Sequence, residues 1–247
     1  MHPVEIALEA AVLVMQNGGS TVAAERSFAN LLKAFREDGV ASVWRLDFVA
    51  ATRTVEGRLV TVVRSVGPVG VNLVRASEVA ALSDRAAKGE VDVAALEAEI
   101  ERIRCLPSPH NRWLLVAAAA CNAGCFSQLN GGDWGSFGIA FVAAVIGQSV
   151  RSLLQARKLA VAPVTLFCAV LSALIAAVGL RLGCSQVQPA TLMGSVIYMI
   201  PGLPLINGFV DMISHRYLLA GIERMMNAAF LFLVLAVAIA FARTVVL

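Results

Sequence analysis

Pro201, Gly202 and Pro204 are followed by Asn207 and Asp211 in the stretch MIPGLPLINGFVDM, residues 199–212, which is otherwise apolar. Together these residue types point to anion recognition. A proline inside a helix removes one backbone hydrogen bond and clashes with the carbonyl four residues back. Two prolines flanking a glycine predict a break, with a second half-helix starting near Pro204, where proline suits a first-turn position. The free N–H groups and positive dipole end of that half-helix would suit a carboxylate. Broken helices in transporters hold anionic substrate groups in this way. Asn207 and Asp211, four residues apart, share one face of the half-helix and extend a polar path from it. The alternative is a structural kink, with Asp211 marking the end of a span.

A second polar group lies in CNAGCFSQLNGGDWG, residues 121–135. Asn122, Gln128 and Asp133 could line an outer vestibule. Equally, small residues and amides here could serve close helix packing and interhelical hydrogen bonds, with Asn130-Gly131-Gly132 as a tight turn. Glu25 is a candidate proton or ligand group, set against the usual solvated charge of an amphipathic helix. GGSTVAAER lacks the phosphate-loop pattern and follows a helix rather than a strand, which argues against nucleotide binding. No catalytic Ser/His/Asp set, metal motif or cofactor signature is evident. The five cysteines, Cys105, Cys121, Cys125, Cys168 and Cys184, read as small packed residues rather than a disulfide or zinc framework.

These residues sit in a chain of two textures. Hydrophobic residues make up 58% and charged residues 15%, with a mean hydropathy of +0.76, outside the range of soluble domains. Residues 1–112 carry 13 of the 20 Lys/Arg and 14 of the 17 Asp/Glu, so the seam falls near Arg112. The expectation is an α-helical integral membrane protein with five transmembrane helices, preceded by a cytoplasmic α/β domain. The domain covers residues 1–110. The membrane part covers 111–247, with spans at about 113–129, 136–154, 162–180, 190–212 and 225–243. Arg151 falls near the end of the second span and would snorkel to the interface.

Orientation follows from Lys/Arg in short loops. A cytoplasmic N-terminus puts Arg151, Arg157, Lys158, Arg216 and Arg224 in the inner loops, against Arg181 alone in the outer loops, and leaves the C-terminus outside. MHPVEIALEAAV has no basic leading region, so no secretory signal is expected. A net charge of +3 gives no reason to expect nucleic acid.

In the first half, Val4 to Asn17 has helical spacing. Gly18-Gly19 ends that helix, and Ser20 or Thr21 can cap a second running to about Glu37. The β-branched texture from Val40 predicts a hairpin around Glu56-Gly57 with one strand ahead of it. Helices are expected over about Leu73–Lys88 and Asp92–Arg104. In the latter, Val93, Leu96, Ile100 and Ile103 form the apolar stripe, and Glu97, Glu99 and Glu101 face water. Pro107 and Pro109 then break the chain.

Taken in order, QNGGST with Glu25 after it, GVNLVRASEV, NRWLLV…CNAGCFSQLNGGDWG, RSLLQARK and IPGLPLINGFVDM resemble the threonine/serine exporter family, in particular its shorter YjjP-type members. The resemblance implies a bacterial inner-membrane exporter subunit for small carboxylate metabolites, either a succinate-like dicarboxylate or threonine and serine. It also implies a separately encoded small multi-span membrane partner of the same family. Five spans contain no inverted second half, which suits such a partner or a homo-oligomer. The competing readings are a membrane-anchored hydrolase and a regulatory or sensory subunit, each using the N-terminal α/β domain. His215-Arg216 and Met199-Ile200 depart from the family pattern around an intact PGLPLIN.

Overall fold

The computed structural model describes residues 2–108, 110–157 and 159–247. Outside these lie Met1, Pro109, which was expected to break the chain, and Lys158, which was counted among the inner charges. The chain forms two compact units, Met1–Pro109 with Gly202–Met226, and His110–Pro201 with Asn227–Leu247. Residues 202–226, which the sequence division at 110 puts with the membrane part, therefore pack with the first unit.

The first unit is built around α1, Pro3–Gln16. His2 caps it, accepting from Val4 N–H at 3.3 Å, and Pro3 occupies the first turn. Ten of its residues are buried, from Val4 to Met15, because α2 (Thr21–Phe35), the sheet, α3 (Leu73–Ala87) and α4 (Leu96–Arg104) surround it. Gly18, at φ +93°, supplies the left-handed residue after α1, and Ser20 caps α2 through Ala23 N–H at 3.1 Å. The sheet is an antiparallel meander of β1 (Ala41–Trp44), β2 (Phe48–Val55) and β3 (Arg58–Ser65). Its hairpin closes at Val55↔Arg58, with Glu56 and Gly57 both at positive φ, as a two-residue primed turn requires. Trp44, Val49 and Ala51 face the core, while Leu59 and Val63 on β3 stay exposed.

The stripe expected on the fourth helix needs one correction. Leu96, Ile100 and Ile103 are buried, but a 3-10 turn over Val93–Ala95 turns Val93 outward to 42% exposure. This unit is completed by α9, Gly202–Ile213, and the first residues of α10, Leu218–Val246, whose Ala220 joins the same core along with Tyr217.

The second unit comprises α5 (Arg112–Leu129), α6 (Trp134–Ala156), α7 (Val161–Arg181), α8 (Gln188–Val196) and α10 from Asn227. A 3-10 turn, Ile197–Met199, follows α8, and Ile200 is extended just before Pro201. Alanine and glycine line the helix contacts. Ala169, Ala173, Ala176 and Ala177 of α7 are fully buried and cluster with Leu192 and Val196 of α8 and with Leu235, Ala238 and Ala242 of α10. Small side chains of this kind let backbones approach where no hydrophobic effect drives association. Cys168 is buried, but Cys121 and Cys125 lie on an exposed face of α5 and Cys184 is exposed too. Cys105 is exposed as well, so the expectation that the cysteines are packed holds only for Cys168.

Among the described residues, α6, α7 and α10 are long and apolar enough to cross a membrane. The helices on either side of the Pro201 break add a fourth if they form one span. All five expected apolar segments are helical. The first, α5, carries Arg112, Asn122 and Gln128 and is not among the helices apolar enough to cross by composition.

Candidate functional site

The helix break falls where the prolines predict it, between Ile200 and Gly202, with Pro201 buried. The second half-helix begins at Gly202, placing Pro204 in its first turn, as expected. A Cβ added at Gly202 would meet nothing within 4 Å, so this glycine borders open space.

The half-helix α9 is amphipathic in an inverted sense. Asn207, Gly208 and Asp211 are buried, whereas Ile206, Phe209, Val210 and Ile213 are 42–68% exposed. Its polar face packs on the turn between α1 and α2. Asn207 Nδ2 donates to Gly18 O at 2.8 Å. Asp211, with no exposed surface, accepts from Thr21 N–H at 2.9 Å and Val22 N–H at 3.3 Å through Oδ1. Its Oδ2 accepts from Thr21 Oγ1 at 2.8 Å and from Arg224 Nε at 3.0 Å. Arg224, also buried, reaches Gly19 O at 3.3 Å as well.

Two physical requirements meet in this cluster. The first turn of α2 needs acceptors for its free N–H groups, and its positive dipole end favours an anion. A buried carboxylate needs donors and a counter-charge, or its desolvation goes uncompensated. Asp211 and Arg224 answer both. The helix N-terminus that holds a carboxylate here is that of α2, and the carboxylate is the chain's own. Asn207 and Asp211 come together with QNGGST as a latch joining α9 and α10 to that turn.

Glu25 lies one helical turn further along α2. Its carboxylate pairs with Arg216 at 3.4 Å. It also bears on Tyr217, whose buried hydroxyl has no hydrogen-bond partner among the described residues. Burial and the Glu25 charge push that phenol up to about 12.

The outer group divides. Asp133 caps α6, accepting from Ser136 N–H at 2.6 Å and from Gln186 N–H at 3.3 Å. These N–H groups and the Ser185 hydroxyl hold its carboxyl well below the usual range. Gln128 Nε2 donates to Asp133 O at 2.6 Å, tying the end of α5 to the start of α6. Nearby, Ser136, Ser185 and Thr191 exchange hydroxyl hydrogen bonds. Asn122 is not brought to them; it lies on the exposed face of α5 with Cys121 and Cys125. No group of three His, Cys, Asp or Glu side chains is placed to hold a metal among the described residues.

Arg224 and Thr21 are the members of the latch that sequence reasoning did not assign to it. Arg224 counted only as a loop charge, and Thr21 only as a cap candidate. The usable signal was an arginine entering a long apolar helix 13 residues after the motif's aspartate, since such a charge requires a partner.

Comparison with known proteins is consistent with this architecture. A family described as "Putative threonine/serine exporter" matches residues 5–246. A Klebsiella aerogenes protein named "Probable succinate transporter subunit YjjP" is 28% identical over 242 residues, covering 97% of this chain and 92% of the relative. An Escherichia coli K12 protein of the same name is 26% identical over 243 residues, covering 97% and 93%. No solved structure gives a significant match. With nearly its whole length matched, the chain belongs to the threonine/serine exporter family.

Proposed function

We propose that this chain is the larger membrane subunit of an exporter for small carboxylate metabolites, either succinate-like dicarboxylates or threonine and serine. The observation that carries the reading is the break at Ile200–Pro201 inside an apolar segment, in a chain matched end to end by an exporter family. Membership in a transporter family sets the hydrolase alternative aside. A succinate cargo is supported by the printed names of the two relatives, and a partner by the word "subunit" in those names. The partner is a small multi-span membrane protein of the same family, with a homo-oligomer as the alternative arrangement.

In this reading α5 is the first of five spans. Gln128 is tied to the Asp133 carbonyl at its end, while Arg112 and Asn122 lie on the face that α6 and α8 leave uncovered, where the partner subunit would replace lipid. The N-terminal α/β part is cytoplasmic and the C-terminus outside, as the Lys/Arg bias favours, and the membrane is the bacterial inner membrane, as the family resemblance implies. Pro201, Gly202 and Pro204 form the flexible point of the substrate pathway. Asn207 and Asp211 transmit its movement to the QNGGST turn, and Glu25 acts through its pair with Arg216. Asn122, Gln128 and Asp133 belong to the outer end of the same pathway.

The test is efflux from cells lacking the chain and its partner. Loss of the pair should raise intracellular succinate or threonine, and re-expression should restore export. Equal efflux with and without them, for both cargoes, would reject the exporter reading.

A further inference from the structure

The second unit contains a charge with no counter-charge. In residues 110–201 and 227–247 the sequence has one acidic side chain, Asp133, at the opposite end of α6 from Arg151. Asp133 is engaged by Ser136 and Gln186. Arg151 makes no ion pair or hydrogen bond among the described residues, and its Nε is buried without a partner. An arginine snorkelling to the interface would direct its head group into water. This one keeps its Nε buried and lies within electrostatic range of the Tyr198 hydroxyl and of the fully buried Cys168, so part of its head group faces the bundle.

The neighbours are arranged for an incoming anion. Gly147 and Arg151 are one turn apart on the same face of α6. A Cβ at Gly147 would lie 3.1 Å from Tyr198 Cζ, so the glycine lets the phenol approach that face. The Tyr198 hydroxyl shares a hydrogen bond with Ser172 Oγ at 2.9 Å, and Ser172 also reaches Ala143 O at 3.3 Å. Tyr198 can therefore turn its O–H toward an anion while Ser172 keeps the Ala143 carbonyl. Tyr198 belongs to the 3-10 turn just before the Pro201 break, so movement at the break would shift the phenol relative to Arg151.

A half-buried guanidinium with an unsatisfied Nε and no acid beside it is costly, and a planar carboxylate is the group it pairs with best. We infer that Arg151, assisted by the Tyr198 hydroxyl, binds the carboxylate of the transported anion, an assignment that rests on the exporter reading above.

The experiment uses the full-length chain in nanodiscs of neutral phosphatidylcholine, with radiolabelled succinate and threonine as probes and cell efflux measured in parallel. Wild type should bind at least one probe, and the corresponding amide without a carboxylate should fail to compete. Arg151→Gln should weaken binding on the order of 10- to 100-fold, the range of one charge-assisted contact. Arg151→Lys should retain part of the binding, and Tyr198→Phe should lose several-fold. The amide competition needs no variant, and it decides the matter if Arg151→Gln fails to fold. Unchanged binding in a folded Arg151→Gln, or equal competition by the amide, would overturn the assignment. So would efflux from cells without binding to the purified chain. Loss of co-purified anionic lipid in Arg151→Gln, with probe binding intact, would identify a headgroup phosphate site and overturn it as well. Wild-type cells that export neither cargo would instead reject the exporter reading itself.

Discussion

Asp211 on α9 accepts the backbone N–H of Thr21, 190 positions earlier in the chain, at 2.9 Å. Together with Arg224 on its other oxygen, this bond makes a buried charge pair the joint between the QNGGST turn and the helices that follow the proline break. Removing one member of such a pair leaves the other charge buried alone, at a cost of about 3–5 kcal/mol. Asp211→Asn and Arg224→Met should each lower thermal stability in detergent and reduce export. The double variant should be more stable than either single one. Additive losses would show that the two side chains act independently.

The turn itself is tight enough to test by single methyl groups. A Cβ at Gly19 would sit 2.9 Å from Val14 O, a backbone atom that cannot swing away. Gly18→Ala combines a positive φ with a 2.8 Å approach to Leu203. Both variants should lose membrane-integrated, monodisperse protein, Gly19→Ala more severely because its obstacle is rigid. Fluorescence-detected size exclusion provides the measurement. Wild-type profiles from both would mean the turn moves aside freely.

Tyr217 offers the opposite sign. Its hydroxyl is buried without a partner, so deleting the oxygen removes an unsatisfied group rather than a bond. Tyr217→Phe should match or exceed wild type in thermal stability. A clear loss would reveal a partner for that hydroxyl, with Glu25 the nearest candidate.

Asp133 makes a prediction about acid. Its folded carboxyl is held below the usual range, so its contribution to capping α6 is present above the unfolded value near 4. That contribution is lost only as pH falls through the depressed folded value. Asp133→Ala should therefore lower the melting temperature at pH 5 as much as at pH 7. A difference that vanishes already by pH 5 would show that the carboxyl titrates above its ordinary value instead of below it.

Topology can be read with fusions. A reporter active only outside the inner membrane should work when attached after Leu247 and fail when attached ahead of α1. A reporter active only in the cytoplasm should show the reverse. Signals from the same side at both ends would remove the odd span count, and α5 would be the helix to reassign.

Much of the frame was readable because its signals are local. Gly18-Gly19 stopped α1, Glu56-Gly57 turned the hairpin, and the apolar runs located α5 to α9 to within a few residues, whereas α10 begins well ahead of the expected span, at Leu218. The Pro201 break was equally local, since proline acts on its own helix turn. The latch was not readable, because nothing near Asp211 records that Thr21 will lie against it. Periodicity indicates which face of a helix is buried, but not which distant segment covers it. On α9 the apolar residues are the exposed ones, because the polar residues are the ones that find protein. Asp133 was legible in principle, as an aspartate directly before an apolar helix is a capping signal. Its polar neighbours instead led to two equal readings, an outer vestibule and helix packing with a tight turn.

The first unit is assembled from two stretches, and 92 residues, 110 to 201, separate them in the chain. During synthesis at about 5–20 residues per second, α2 would emerge roughly 10–40 s before the aspartate that covers its N-terminus. Until then Thr21 and Val22 must keep their N–H groups in water, and the turn has no fixed seat. The nascent N-terminal part therefore waits for the later helices, and slowing translation between residues 110 and 201 should lengthen its exposure to proteases.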